Sequence, residues 1–374
     1  MNEFAGLYLF LIAVYLFDCF LWGGPRSVAF KSPFLRRWKL SRGASLIGSE
    51  HPKAFFCNPL PPLGAIFLSQ EPPITLSRNG IGIAEGQLGA DDYDFLRFSE
   101  IRTVSAPGKH IVINDRRFCE CISSRHAREL ASFLERLLPL SSEIREQAIR
   151  EQLQKITDAA EIEKVLNLFR DDSSGLRWSC NLLFWFVFLI VPAELMLGVS
   201  FYMWPALAGI LFLIVCMILI QFWNAHTSLF TAAREEKWTA LVSIALFPPN
   251  AVRAVDALSA DLLARFHPLA ISQAVGAPDF QNFASETLRR LRFPKKLLLH
   301  GESLAHDTEH RAFLSGCIER LITSAALDPA KLVGSPVRDS LAANSYCPRC
   351  WAQYVPSLTR CTECDIATVA FASG

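Results

Sequence analysis

Two stretches, Asn181 to Gly198 and Pro205 to Phe222, carry a single charged residue between them, Glu194, and constrain this chain more than any other feature. Each has the length that a helix needs to cross the hydrocarbon core of a bilayer, where a backbone must satisfy its own hydrogen bonds. The pair therefore predicts two spanning helices joined by a turn around Ser200-Phe201-Tyr202-Met203-Trp204. Trp178 and Trp223 fall at one end of this hairpin and Trp204 at the other, the interfacial placement that indole rings favour. A third apolar run, Phe4 to Trp22, lacks the basic start and the small-x-small site of a cleaved signal peptide. Its Cys19 follows Leu16-Phe17-Asp18 instead of the small residues that precede a lipoprotein cysteine, so the run reads as a further span. A 51% hydrophobic content and a positive mean hydropathy agree with three spans, because the apolar excess is concentrated in these runs.

Basic residues set the orientation. Arg26, Lys31, Arg36, Arg37, Lys39 and Arg42 follow the first run, only Glu3 and the chain amine precede it, and the short hairpin turn has no Lys or Arg. Arg170, Arg177, Arg234 and Lys237 flank the opposite side of the hairpin. Since cytoplasmic loops hold the excess of Lys and Arg, both signals predict an amino terminus outside and residue 26 onward in the cytosol of a multi-pass bacterial inner (cell) membrane protein. Asp18 and Glu194 would then occupy opposite leaflets, Glu194 just beyond a kink expected at Pro192. Separated in this way, they do not form a paired proton relay, and each is expected to reach an interface. Three spans without glycine-interrupted repeats also speak against transport by this chain alone.

The carboxyl-terminal end imposes a second constraint. Cys347-Pro348-Arg349-Cys350 and Cys361-Thr362-Glu363-Cys364 are two CxxC knuckles with ten residues between them, a spacing in which two tight turns bring four thiolates onto one ion. So short a segment buries too little to fold alone, and the hairpin bearing Trp351, Tyr354, Val355 and Leu358 is expected to be folded by the metal. Two disulfides are the alternative use of these cysteines, and a reducing cytosol disfavours them. Four sulfurs leave no open coordination position, so the site is expected to be structural. The pattern resembles the zinc-ribbon family over residues 346–370, with Trp351 and Asp365 standing where many ribbons have a glycine. The resemblance implies a structural Zn2+ on Cys347, Cys350, Cys361 and Cys364; a rubredoxin-type iron is the alternative ion.

Residues 74–138 change period. Ile74-Thr75-Leu76-Ser77-Arg78, the turn Asn79-Gly80 and Ile81-Gly82-Ile83 read as a tight hairpin. Phe95 to Phe98, Ile101 to Ser105, His110 to Ile113 and Phe118 to Ile122 follow as strands, the last two joined through Asn114-Asp115. A helix capped by Ser123 or Ser124 closes the set, with Leu130, Phe133, Leu134 and Leu137 on one face. Strands followed by one amphipathic helix, with the phrase Phe98-Ser99-Glu100-Ile101-Arg102-Thr103-Val104, resemble the bacterial pleckstrin-homology-like (PH-like) domains of membrane proteins. That resemblance implies a small β-barrel plugged by its helix; a generic α+β domain is the alternative. Only Arg78 in the first hairpin is basic, while Asp91, Asp92 and Asp94 crowd the next loop, a charge balance that repels anionic headgroups and favours contact with protein or peptide.

The remaining segments connect these parts. Residues 23–73 form a basic juxtamembrane stretch that runs into a proline-rich loop or wrap from His51 to Pro73. Residues 141–172 are charged and helical, with Ile149, Leu153, Ile156 and Ala160 at heptad-like intervals; they predict a stalk that packs on the barrel or forms a dimer seam. Residues 251–327 predict a helical region broken at Pro268, Pro278 and Pro294, and residues 330–344 a linker. Arg289, Arg290, Arg292, Lys295 and Lys296 form a basic run that either touches anionic lipid or faces solvent.

Enzyme signatures are scarce. His306 and His310 share a helical face with Asp307 and Glu309 between them and His300 nearby, but the zincin order is absent, and exposed polar residues are the expectation. Leu314-Ser315-Gly316-Cys317 lacks the first glycine of a nucleophile elbow, and Cys119 and Cys121, alternating on a strand, read as packing. The expected fold is thus a three-span membrane protein with a PH-like barrel, a cytosolic helical region and a carboxyl-terminal zinc ribbon. The expected function is non-catalytic: cytosolic domains displayed at the lipid bilayer to recruit or regulate a cytosolic or membrane protein partner, with no small-molecule substrate. One alternative is nucleic-acid binding through Trp351, Tyr354, Arg349 and Arg360, for which a formal net charge of +1 gives little support. Another is a subunit of a membrane enzyme or transporter that uses Glu194.

Overall fold

The structure is a computed structural model that describes residues 6–13, 53–58, 64–68, 74–85, 92–121, 124–197, 203–230, 234–246, 251, 254–263, 265–277, 279–294, 301–340 and 342–371. Two helices, Ser174–Leu197 and Trp204–Leu229, are long and apolar enough to cross a membrane. In the most apolar stretch of each, only 28% and 17% is buried, so they are not the wrapped core helices of a soluble protein. Leu189, Met196, Phe212, Leu213 and Ile220 stand bare on their outer surface. Of the run Phe4 to Trp22, residues 6–13 are helical, and the remainder, with Asp18, lies outside the described residues, as do the basic residues from 26 to 42.

Both hairpin helices extend about two turns beyond the apolar runs at the same end. Those turns carry Ser179, Thr227 and Ser228, whose hydroxyls bond to Gly175 O (2.9 Å), Trp223 O (2.7 Å) and Asp172 Oδ2 (2.6 Å). Hydropathy marks the lipid section of a helix, and these turns continue as ordinary protein helix. The two helices pack closely here, where a Cβ on Gly175 would meet Gln221 Oε1 at 2.7 Å. Higher up, Phe186–Ile190 forms a π turn. Pro192 follows after Val191, and a proline withholds an amide and crowds the preceding turn; a wider turn relieves that crowding. The Tyr8 hydroxyl donates to Val187 O at 2.7 Å, seating residues 6–13 against this turn.

Residues 74–137 form two three-stranded antiparallel sheets, β3(Ile74–Leu76), β4(Gly80–Glu85), β5(Asp92–Arg97) and β6(Val104–Ser105), β7(His110–Ile113), β8(Arg116–Glu120), followed by the helix Ser124–Leu137. Among the described residues the sheets are open and do not close into the expected barrel. The chain leaves β5 through the 3-10 turn Phe98–Glu100, which interrupts pairing between the sheets. One core nonetheless joins sheets and helix: Ile74, Ile81, Ile111, Cys119, Cys121 and Leu134 belong to it. Gly80 has no room for a side chain, since a Cβ would lie 2.3 Å from Leu96 O. Asn114 and Asp115 take φ of 49° and 64°, the left-handed pair that a two-residue hairpin needs. Asn114 Oδ1 also accepts from Arg102 N (2.7 Å) and Thr103 N (3.2 Å), and its Nδ2 donates to Glu100 O (2.7 Å). This one side chain pins the phrase 98–104 to the second sheet.

The expected stalk 141–172 is two helices, Ser142–Ile156 and Ala159–Asp172. Asp158 caps the second by accepting from Ala160 N (2.9 Å) and Glu161 N (3.4 Å), and the break separates two cores. Ile149, Leu153 and Ile156 pack with the sheets. Ile162, Val165, Leu166 and Phe169 instead join Cys180, Leu183, Ile218 and Phe222 at the base of the hairpin. Helices Ala254–Leu263, Pro268–Ala274 and Phe280–Arg292 contribute Leu258, Leu269 and Leu288 to that second core. Helix Glu302–Ser324 serves both, Phe313 and Cys317 belonging to the sheet core and Ile318, Leu321 and Ile322 to the core that also holds the hairpin base. Within the proline-rich segment, β1(Lys53–Asn58) and β2(Gly64–Leu68) pair antiparallel as a separate ribbon where a loop or extended wrap was expected.

Candidate metal centre

The carboxyl-terminal residues form a three-stranded sheet, β9(Ser345–Tyr346) flanked by β10(Gln353–Tyr354) and β11(Val369–Ala370). Two equivalent turns lead into the cysteines. In the first, Trp351 N donates to Cys347 O (2.9 Å) and Cys347 N to Ala352 O (2.9 Å); in the second, Asp365 N donates to Cys361 O (3.0 Å) and Cys361 N to Ile366 O (2.8 Å). Trp351 and Asp365 adopt φ of 65° and 53°, the left-handed conformation that glycine enters most easily. Both turns thus close without a glycine, and Arg360 holds the strained Asp365 with an ion pair at 3.1 Å.

The four sulfurs all lie within 4.8 Å of one another. Cys350 Sγ and Cys361 Sγ stand 3.7 Å apart, far beyond a disulfide bond of about 2.05 Å and close to the roughly 3.8 Å edge of a tetrahedron with Zn–S bonds of about 2.3 Å. Cys347, Cys361 and Cys364 are buried and Cys350 is exposed, so the donor set closes the site from the protein side. Cys361 accepts from Cys364 N (3.3 Å) and from the Tyr354 hydroxyl (3.0 Å). Burial opposes ionisation of Cys361, but the Tyr354 hydroxyl and the backbone amides of the knuckle outweigh it and bring the thiol down to about 7. On Cys350 the same effect of burial prevails, and the thiol is pushed well up. A cluster of soft thiolates with donors aimed at one sulfur suits a structural metal ion. Sequence spacing identifies the four ligands, while the thiolate-supporting role of Tyr354 has no local signal.

The knuckle is bolted to the helical region. Arg349 is buried and donates to Phe293 O (2.8 Å) and Arg290 O (3.4 Å), covering the carboxyl-terminal carbonyls of Phe280–Arg292. In return, Arg289 donates to Arg349 O (2.8 Å) and lies 3.7 Å over the Trp351 ring. Residues 330–344 are tied down rather than slack: Gln353 Nε2 donates to Val337 O (2.8 Å), its Oε1 accepts from Asp339 N (3.0 Å), and Arg338 covers Phe371.

The other sequence candidates disperse. His306 and His310 are buried, contrary to the exposed placement expected, because their helix covers the free edge of β3. His306 bonds to the Thr75 (2.9 Å) and Ser77 (2.6 Å) hydroxyls, and His310 Nδ1 faces Leu76 N (3.2 Å). Asp307 pairs with Arg311 (2.6 Å) and Glu309 with Arg78 (3.5 Å), so the four do not converge on an ion; His300 lies outside the described residues. Ser315 and Gly316 sit inside the helix Glu302–Ser324, where no elbow can form. In the basic run, Arg290 pairs with Glu286 (2.6 Å), Arg292 with Glu319 (2.9 Å) and Arg289 with the knuckle, while Lys295 and Lys296 lie outside the described residues. Compared with protein families, with curated proteins and with solved structures, the chain shows no match.

Proposed function

We propose that this chain is an integral membrane protein of the bacterial inner membrane that displays cytosolic modules to recruit or regulate a protein partner, without catalysis of its own. The observation that carries the reading is the continuity of one core from the base of the hairpin, at Cys180, Ile218 and Phe222, into the soluble helices at Leu258, Leu288 and Ile318. Helices bare enough for lipid at one end and fused to a soluble assembly at the other suit a platform. In this reading residues 6–13 belong to a third span, the amino terminus lies outside, and the cysteines face the cytosol, where reduced thiolates bind a structural Zn2+. The paired sheets with their closing helix stand for the PH-like module, arranged as an open pair. Docking through Arg289 and Arg349 holds the ribbon as a fixed surface of the platform.

That surface supplies the contact. Val355, Leu358 and Val369 are exposed on the ribbon, an apolar face suited to protein. The nucleic-acid alternative loses Arg349 to burial and much of Trp351 to Arg289, and no observation favours the transporter alternative through Glu194.

Affinity capture from detergent-solubilised membranes tests the reading best with point variants, since deleting residues 74–138 would strip partners from Phe313 and Ile149. Val355→Asp with Leu358→Asp is expected to keep the metal and lose a reproducible companion. An unchanged set of companions from this variant and from variants on the exposed face of the sheets would refute recruitment.

A further inference from the structure

We infer that the helix Arg234–Leu246 is a membrane-embedded helix that lies in one leaflet without crossing it, its face Trp238, Val242 and Leu246 set against lipid; this rests on reading Ser174–Leu197 and Trp204–Leu229 as a spanning hairpin. The three side chains recur every fourth residue on one side and are 53%, 53% and 75% exposed, whereas Leu241 and Ile244 on the other side are buried in the core at the hairpin base. The helix is thus held by the protein along one stripe and left apolar and uncovered along another.

The occupant of the bare stripe follows from its continuity with the hairpin. Trp238 stands edge-on to Trp223, ring centroids 5.4 Å apart at 68°. Trp223 ends the bare apolar run Phe212, Leu213 and Ile220 of the second hairpin helix, so the face of Trp238 extends that surface without an interruption. The one described ammonium nearby is turned inward, Lys237 lying 3.3 Å from the Trp223 centroid and bonded to the Thr227 hydroxyl. No charged residue occurs from Trp238 to Val252. Thirteen residues make a helix about 20 Å long, short of the roughly 30 Å of a hydrocarbon core. A segment of this length, anchored by an indole at the level of the other interfacial tryptophans, is built to lie in the leaflet.

A benzophenone amino acid placed at residue 242, 246, 212 or 144 of the full chain, reconstituted in phosphatidylcholine–phosphatidylglycerol vesicles, tests this by the identity of its photoadducts. All four native side chains are exposed, so the substitutions meet no packing. Positions 242 and 246 are expected to give phospholipid adducts at a yield close to that at 212 and about tenfold above that at 144 on the soluble helix Ser142–Ile156. Lipid adducts at 212 with none at 242 and 246 would overturn the inference and leave the hairpin reading intact. Adducts from 242 or 246 to a second copy of the chain would overturn it in favour of a protein interface. Absence of lipid adducts at 212 as well would bring down the hairpin reading and this inference together.

Discussion

Residues 74–137 and 345–371 both present small antiparallel sheets, yet they are held together by different forces. The first buries Ile74, Leu76, Ile81, Ile111, Ile113, Leu134 and Leu137 almost completely, each such side chain contributing about 1.5–3 kcal/mol. The second buries three cysteines with only Tyr354 and Ile366 partly packed against them. Carbon surface suffices for one region, while the other has four sulfurs placed to hold an ion and a dock to the helix Phe280–Arg292. A sheet's content therefore says little about its stability until the source of its core is known.

The sharpest way to break this comparison is to strip the metal. Structural zinc sites carry an apparent binding free energy of about 10–16 kcal/mol, so chelation, or Cys347→Ser, is expected to expose the amides of 345–371 to hydrogen exchange and leave 74–137 protected. Equal loss in both regions would mean that they share one source of stability. A smaller effect is expected from Leu134→Ala, which opens a cavity in the sheet core and costs about 2–5 kcal/mol in denaturant unfolding, with bound zinc per chain unaltered.

Acid should separate the regions next. Burial, and secondly the neighbouring His310, lowers His306 to about 3; burial lowers His310 to about 4 and His267 to about 3. Each is neutral when folded and takes up a proton on unfolding below its ordinary value of 6.5. Their stabilising contribution is complete above pH 6.5 and falls by about 1.4 kcal/mol per pH unit for each histidine as pH drops toward the folded values. Unfolding of the sheet region followed from pH 7 to 5 should show this slope, and His306→Gln should reduce it by one histidine's share; a flat wild-type profile would contradict the burial of these rings. The smallest effect belongs to the dock. Arg289→Ala removes the cation–π contact and one charge-assisted bond, about 1–3 kcal/mol together, and should raise exchange at 347–351 while the zinc stays bound.

The sequence made legible what local chemistry controls. The four cysteines declare their site by spacing, Asn114-Asp115 declare their turn by conformation, and alternating Ile74, Leu76, Ile81 and Ile83 declare a buried face, whereas Gly80 opens β4 instead of forming the expected two-residue turn with Asn79. Local pattern is silent where distant surfaces decide. The heptad-like stripe from Ile149 to Ala160 reads as one stalk, but Asp158 ends it because two cores compete for its halves. Asp158 could have been noticed as a cap. Polar His306 and His310 look exposed until the free edge of β3 is seen to need partners, and Arg349 looks like a phosphate ligand until the carbonyls of a remote helix claim it. Open sheets in place of a barrel belong to the same class, since closure depends on pairing between strands far apart in the chain.

The helix Glu302–Ser324 is wedged on two sides, and a rod in that position cannot turn or slide to suit one neighbour alone. Rotating Phe313 away from the sheets swings Ile318 and Ile322 out of their seats in the second core. Torque applied to the sheets is therefore passed along a stiff shaft into the second core, and a push from that core returns along the same axis.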